Sequence, residues 1–340
     1  MVSLDYMRRS NGRINSNLPA GLVAVFIGAT SGIGEATLKE FAKRTRQPRI
    51  YFAGRREDAG SRITNELKIL NPDGEYHYLK CDASLLKNVD DLCRHLRSKE
   101  PVVNLLFITS GTLLTGKFTE EDLHYPLALT YYSRVRFVAN LLPLLKRAAS
   151  LRRVVTVFAG SKEGKVFPDD FQAKRLGMMS ARGHCASMIT LALETLAATA
   201  PEVSFIHDYP GFVSTELSRE LTGPAAAILK VLFKPVMALL NTPTGEGGER
   251  HTFFATSARF PHGATEPDNA SGIALDAGVG LAASTQGKPG GGVYSIDYEA
   301  EGTSPTVQRL LDGPRKDGTA ATVWKHTEDT FLRITGSLAI

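Results

Sequence analysis

The chain has few cysteines and no spacing of side chains that is typical of a metal site. Three cysteines, Cys81, Cys93 and Cys185, occur among 340 residues. An odd number without metal-ligand spacing indicates a reducing compartment rather than a disulfide framework. None of the eight histidines forms a His-x-x-x-His pair. We therefore expect a cytoplasmic protein without a metal ion.

The sequence also lacks a long uninterrupted apolar run. The longest apolar stretch, Ala225–Leu240, is broken by Lys230, Lys234 and Pro235. It is shorter than the roughly 20 apolar residues that a membrane-spanning helix requires. The first 17 residues are polar and contain no apolar secretion segment. We therefore expect no membrane-spanning segment.

No strong excess of charge of one sign is present. The net charge is +5, from 40 basic and 35 acidic residues, and the basic residues are scattered. Short clusters such as Arg152-Arg153 are typical of solvated loop ends, so we expect no nucleic-acid partner. A hydrophobic fraction of 43% is enough to bury a substantial core.

Short apolar runs alternate with longer helical patterns over the first two thirds of the chain. The run Leu22–Gly28, for example, is continuously apolar, as in a strand buried on both faces. This alternation predicts the α/β class, a doubly wound parallel sheet with helices on both faces. We predict strands at 22–28, 49–53, 76–81, 102–109, 153–158 and 203–207, and helices at 31–43, 57–70, 84–98, 120–146 and 181–198.

A glycine-rich turn lies between the first predicted strand and the first predicted helix. It reads Gly28-Ala29-Thr30-Ser31-Gly32-Ile33-Gly34, with the spacing G-x-x-x-G-x-G. Glycines allow a tight turn and let a pyrophosphate approach the amide groups at a helix N-terminus. The strand and helix on either side favour a dinucleotide site over a purely structural turn.

The end of the second predicted strand bears on the choice of nucleotide. An NAD site usually has an acidic residue there, which binds the ribose 2′-hydroxyl. This chain has Ala53-Gly54-Arg55-Arg56 instead. Arg55 or Arg56 would pair with a 2′-phosphate, which favours NADP as the cofactor. A solvent-facing arginine pair is the competing interpretation.

Over residues 20–220, these features and two further segments resemble the short-chain dehydrogenase/reductase family. Asp82 follows the third strand in a Cys-Asp-Ala-Ser context, and Pro210-Gly211-Phe212-Val213-Ser214-Thr215 is similar to the family's P-G-x-V-x-T segment. The region around Asp169-Asp170-Phe171 is most similar to the retinol-dehydrogenase-like branch, and the whole chain resembles reductases of fungal secondary metabolism. The resemblance implies a Rossmann fold and a cofactor site made of Gly28, Thr30, Ser31, Gly32, Ile33, Gly34, Arg55, Arg56, Asp82, Gly111, Pro210, Gly211, Val213 and Thr215.

The chain departs from the family at its four catalytic positions. The Asn, Ser, Tyr and Lys of the family align with Thr130, Ala159, His184 and Met188. His184 is a candidate replacement acid because imidazole titrates near neutrality without help from a lysine, and Ser161 or Thr130 would orient a carbonyl. The alternative interpretation is a histidine satisfied by backbone groups beside a core methionine.

The resemblance suggests where a substrate lid would lie, and a composition rich in Gly, Pro, Asp and Thr from about residue 261 indicates an irregular extension. Residues 1–260 would form the dinucleotide-binding domain, with a substrate lid at about 216–250. Residues 261–340 would form an irregular extension packed on the same domain and closed by a helix at Val323–Ile334. The apolar run in the lid region indicates a cover over a hydrophobic substrate, a homodimer contact or a membrane-surface helix.

Three functions remain open at this point. The first is an NADP-dependent oxidoreductase acting on a hydrophobic carbonyl or alcohol in secondary-metabolite biosynthesis, which the cofactor motifs favour. The second is a non-redox isomerase, dehydratase or cyclase that uses His184. The third is an inactive NADP-binding scaffold, which the four changed catalytic positions favour.

Overall fold

The fold is built on one parallel sheet of seven strands, in the order β3-β2-β1-β4-β5-β6-β7. A computed structural model describes residues 1–112, 114–211, 213, 242–264 and 271–340. The doubly wound parallel sheet expected from the sequence is confirmed. The strands are β1 Val23–Ile27, β2 Arg49–Gly54, β3 Glu75–Lys80, β4 Leu105–Ile108, β5 Arg153–Val157, β6 Ser204–Asp208 and β7 Val293–Ile296.

Helices cover both faces of this sheet. One face carries α5, α7, α8, α10 and α11, and the other carries α1, α3, α4 and α9. A π-helical turn at Ala128–Tyr132 joins α6 to α7. The helices are α1 Leu4–Gly12, α2 Ile14–Asn17, α3 Gly32–Arg44, α4 Glu57–Leu70, α5 Leu86–Lys99, α6 Tyr125–Leu127, α7 Ser133–Arg147, α8 Met178–Thr199, α9 Thr244–Thr256, α10 Pro305–Lys316 and α11 Thr319–Thr335.

Strand β1 shows why the central strands are continuously apolar. All five of its residues are buried. Val23, Val25 and Ile27 face the core beneath α5, α7 and α8, whereas Ala24 and Phe26 face the core beneath α3 and α9. Successive side chains of a strand point to opposite faces, so a strand covered by helices on both sides needs apolar residues at every position.

The direction of chain winding changes between β1 and β4. Strand β1 pairs with β2 on one side and with β4 on the other, and Ile27 lies opposite Ile108 at the carboxyl ends. In open parallel sheets, ligands bind outside the carboxyl ends of the strands at such a switch point. The glycine turn follows β1 directly and therefore lies at this edge.

The C-terminal part of the chain is more regular than the sequence predicts. Strand β7 pairs in parallel with β6, with Phe205 opposite Val293. Helix α10 was not predicted, and α11 begins at Thr319 rather than Val323. Residues beyond 260 therefore complete the central sheet and cover one of its faces.

The helix predicted from Glu120 begins later, at Tyr125. Asp122 has a φ of 56°, a left-handed conformation that interrupts a helix. Pro126 lies in the first turn of α6, where its missing N–H costs no hydrogen bond. Local backbone conformation therefore sets this boundary.

Much of the predicted lid lies outside the described residues. Residues 214–241 are not described, and they include the apolar run 225–240. Helix α9, at the end of the predicted lid, packs against α3. No helix in the described part of the chain has both the length and the apolar character needed to cross a membrane.

Candidate functional site

The glycine turn adopts the conformation that its sequence requires. Gly28 and Gly32 have φ values of 79° and 58°, which favour glycine. Ser31 occupies the N-cap position of α3, but its hydroxyl makes no capping hydrogen bond. The first amide groups of a helix have no intrahelical acceptor. The amide groups of Gly32, Ile33 and Gly34 are therefore available to bind an anion at the positive end of the helix dipole.

The floor of the turn is packed too tightly to accommodate side chains. A β-carbon on Gly34 would lie 2.5 Å from Thr109 Oγ1 and 2.6 Å from the carbonyl oxygen of Gly28. Thr109 Oγ1 donates a hydrogen bond to that same carbonyl at 2.9 Å. The turn is thus held against the end of β4. The residues present fit a nucleotide pyrophosphate, which needs a close approach to backbone amides.

The two arginines after β2 have different environments. Arg56 forms an ion pair with Asp58, with Nη2 2.6 Å from Oδ2, and this contact lowers the pKa of Asp58 to about 2. Arg55 is exposed and donates from Nη1 to the Tyr125 hydroxyl at 2.8 Å. A neutral phenol does not offset the charge of the guanidinium. Of the two predicted 2′-phosphate ligands, Arg55 is therefore better suited to hold an anion.

Thr30 and Asp82 lie on the same side of the site as Arg55. The Thr30 side chain packs over Gly54, where a β-carbon would approach Thr30 Cγ2 to 2.4 Å. Asp82 Oδ1 accepts hydrogen bonds from the backbone N–H of Ser84 at 3.0 Å and its hydroxyl at 2.7 Å. These bonds orient the carboxylate just beyond β3. Binding of the cofactor by Asp82 remains a prediction.

The segment after β6 returns to the glycine turn. Gly211, which follows Pro210, has a φ of 75°. A β-carbon on Gly247 would lie 3.6 Å from Val213 and 4.0 Å from Ile33, so the three residues lie together. Two predicted cofactor residues, Val213 and Ile33, therefore lie close together, whereas Thr215 lies outside the described residues.

His184 is fully buried, and backbone groups bind both of its ring nitrogens. Nδ1 accepts a hydrogen bond from the Phe167 N–H at 3.1 Å, and Nε2 donates to the Phe171 carbonyl at 3.2 Å. Burial lowers the pKa of His184 below that of a free imidazole. The ring is therefore neutral, and its single N–H is already used. This geometry favours the histidine satisfied by backbone groups over the proton donor.

Thr130 contacts the helix that carries His184 but not His184 itself. Its Oγ1 donates to the Pro126 carbonyl at 2.6 Å and lies 3.4 Å from Cys185 Sγ. Its methyl group would be 3.7 Å from a β-carbon on Gly111, which places Thr130 beside the end of β4. The Thr130 hydroxyl proton is thus used in a hydrogen bond to α6.

Ser161 contacts β7, whereas Thr130 contacts α6 and α8. Its backbone has a φ of 61°, and its N–H donates to Ser295 Oγ at 2.6 Å. Ser295 Oγ in turn donates to Glu163 Oε1 at 2.5 Å. The three predicted catalytic residues His184, Ser161 and Thr130 share no hydrogen bond in the described part of the structure.

Three buried polar groups near this edge were not identified from the sequence. Burial raises the pKa of Glu163, which also accepts from Thr190 Oγ1 at 2.8 Å. Asp208 pairs with His251 at 2.9 Å. Arg134 is 2% exposed and reaches the end of β4. The signal in the sequence that points to Arg134 is its position one helical turn after Thr130, in a largely apolar segment where a charged residue is unexpected.

The described residues contain no group of three or more His, Cys, Asp or Glu side chains arranged to hold a metal ion. The three cysteines are buried and unpaired. Burial raises the pKa of the Cys185 thiol to about 11 and that of Cys81 to about 12. Neither thiol is therefore ionised near neutral pH.

Comparison with known proteins identifies the family. A profile of the short chain dehydrogenase family matches residues 22–224. Oxidoreductase AN1596 of Emericella nidulans is 37% identical over 332 residues, 96% of this chain and 97% of that protein. Mouse retinol dehydrogenase 11 is 24% identical over 72% of this chain and 77% of its own length. The chain belongs to the short-chain dehydrogenase/reductase family of oxidoreductases.

The solved structures agree on the fold. An active-site complex of RhlG with NADP from Pseudomonas aeruginosa matches with a TM-score of 0.52. Sequence identity is 18%, and the match covers 76% of this chain and 96% of RhlG. The Rossmann-type fold expected from the sequence is therefore confirmed.

Proposed function

We propose that this protein is an NADP(H)-dependent oxidoreductase that acts on a hydrophobic carbonyl or alcohol in the cytoplasm. A bound nicotinamide would supply or accept the hydride. The chain's own residues bind the nucleotide through the glycine turn and hold the ends of β1 and β4 together through Thr109 and Gly28. A place in secondary-metabolite biosynthesis belongs to the proposal and rests on the sequence resemblance to fungal reductases.

The observation that carries the cofactor preference is the difference between Arg55 and Arg56. Asp58 offsets the charge of Arg56, whereas the Tyr125 hydroxyl that accepts from Arg55 is neutral. A phosphate ester at the ribose 2′ position offers an arginine several charge-assisted hydrogen bonds. Arg55 would therefore contribute affinity for NADPH that NADH cannot gain.

Calorimetric titration of three proteins tests this assignment. Replacing Arg55 with Gln should weaken NADPH binding about tenfold or more, the range of a charge-assisted contact, and leave NADH binding unchanged. The matched control is Arg56→Gln, which removes a neighbouring charge that is already paired. Equal losses for both nucleotides, or a larger effect at Arg56, would overturn the role of Arg55.

The hydrophobic substrate is supported by exposed apolar side chains, two of which begin the helix that carries His184. Phe118 is 50% exposed, and Met178 and Met179 at the start of α8 are 65% and 71% exposed. A series of ketones that differ only in alkyl length tests this part. If each buried methylene contributes about 0.8 kcal/mol, kcat/KM should rise roughly fourfold per carbon. A flat series would remove the hydrophobic substrate from the proposal.

The geometry of His184 favours a second candidate, an NADP(H)-binding protein that does not transfer hydride. A neutral ring with both nitrogens on backbone partners has no proton to give to a substrate. The same geometry counts against the non-redox enzyme that would use His184 as acid or base. NADPH binding without oxidation across a broad panel of carbonyl compounds would favour this second candidate.

A further inference from the structure

Arg134 is a buried cation without a carboxylate partner among the described residues. It lies on α7, one helical turn after Thr130, and is 2% exposed. Burial lowers the pKa of its guanidinium to about 10, so the group remains charged at neutral pH. Its Nε has no hydrogen-bond partner within the described part of the chain. Burying a charge is costly unless the charge is paired and its hydrogen bonds are satisfied.

The bonds of Arg134 hold it at the carboxyl ends of β4 and β5. Nη2 donates to the Ser110 carbonyl at 2.5 Å, and Nη1 donates to the Ile108 carbonyl at 3.3 Å and to Thr156 Oγ1. A β-carbon on Gly28 would lie 2.6 Å from the backbone nitrogen of Ser110. A single loop residue, Ser110, therefore separates the guanidinium from the glycine turn.

Arg134 forms no ion pair with the neighbouring ionisable groups of the described residues. Asp208 is the carboxylate that acts on Arg134 through space, and it pairs with His251 Nε2 at 2.9 Å. His251 Nδ1 lies 2.6 Å from the Gly247 carbonyl, so helix α9 fixes the ring that binds Asp208. The Cys185 thiol is neutral because burial raises its pKa to about 11.

We propose that Arg134 sets the redox-state preference of the nucleotide site, favouring the neutral reduced ring of NADPH over the cationic oxidised ring of NADP+. The inference rests on the proposed use of NADP(H). Strands β4 and β5 flank the switch point on the side opposite β2, whose end carries Arg55. A dinucleotide that spans the switch point with its ribose phosphate near Arg55 would have its nicotinamide on the β4–β5 side.

The size of the effect follows from Coulomb's law. A unit charge about 10 Å from a cationic ring, at an effective dielectric constant of about 20, changes affinity on the order of tenfold. The wild-type protein should therefore bind NADPH on the order of tenfold more tightly than NADP+. Both nucleotides carry the same phosphates, so this ratio isolates the charge of the ring.

Calorimetry with NADPH and NADP+ on four proteins tests the inference. Arg134→Met should bring the two affinities close together, whereas Arg134→Lys keeps the charge and should keep most of the ratio. Arg153→Met is the matched control, because Arg153 is equally buried and its pKa is also lowered to about 10. It binds the Phe254 and Ser257 carbonyls at the opposite end of β5, about 10 Å along the strand from Thr156.

Each outcome has a defined meaning. If Arg134→Met weakens the binding of NADPH and NADP+ by the same factor, the role of Arg134 is purely structural and the inference is overturned. If that variant does not fold, the wild-type ratio still decides, because equal or tighter binding of NADP+ contradicts the proposal. Failure of the wild-type protein to bind either nucleotide would overturn the proposed function and the inference with it.

Discussion

Replacing His184 with Phe should destabilise the protein rather than only slow a reaction. The substitution leaves the Phe167 N–H and the Phe171 carbonyl buried without their present partners. Each unsatisfied group costs about 1–3 kcal/mol, and the larger apolar ring recovers part of this through packing. We expect the free energy of unfolding to fall by roughly 2–4 kcal/mol, measured by urea denaturation at neutral pH.

The exposed His95 on α5 supplies the control for this experiment. His95→Phe should change the free energy of unfolding by no more than about 0.5 kcal/mol, as is usual for surface substitutions. A His184→Phe protein with wild-type stability would refute the structural role. If that protein also lost turnover by about 100-fold, the proton-donor interpretation would be restored.

Three further predictions follow from buried groups. Burial lowers the pKa of His326 to about 4, so between about pH 6.5 and 4 the unfolded chain binds more protons than the folded protein. The free energy of unfolding should therefore fall as the pH drops through this range. His326→Gln should flatten a plot of the urea midpoint against pH. Asp90 and Arg136 form a buried ion pair with Oδ1 2.6 Å from Nε; Asp90→Ala should cost about 3–5 kcal/mol in urea unfolding, and a loss below about 1 kcal/mol would contradict this. Gly34→Ala would place a β-carbon 2.6 Å from the Gly28 carbonyl; calorimetry should show about tenfold or greater loss of NADPH affinity with the circular dichroism spectrum retained, and unchanged affinity would exclude the turn.

Features that depend on neighbouring residues could be predicted from the sequence. Strand β1, the glycine turn and helix α3 follow one another in the chain, so apolar periodicity and glycine spacing identify them directly. Strand β7 is different, because its four residues, Val-Tyr-Ser-Ile, lie in a glycine-rich region. They form a strand because they pair with β6, which precedes them by more than 80 residues.

The orientation of single side chains could not be predicted in the same way. The partners of His184 lie 13 and 17 residues before it, in a loop whose path depends on tertiary packing. The helical pattern placed Arg134 on a helix but did not reveal that its charge is buried. A charged side chain usually faces solvent, and only the carbonyls at the end of β4 show why this one does not.

The account depends most directly on whether the glycine turn binds a nicotinamide nucleotide. Titration of the wild-type protein with NADPH and NADH side by side, followed by calorimetry, measures this without knowledge of the substrate. The account predicts one site per chain that binds NADPH at least about tenfold more tightly than NADH, the worth of one charge-assisted contact to the 2′-phosphate. Absence of binding by both nucleotides, or tighter binding of NADH, would contradict it.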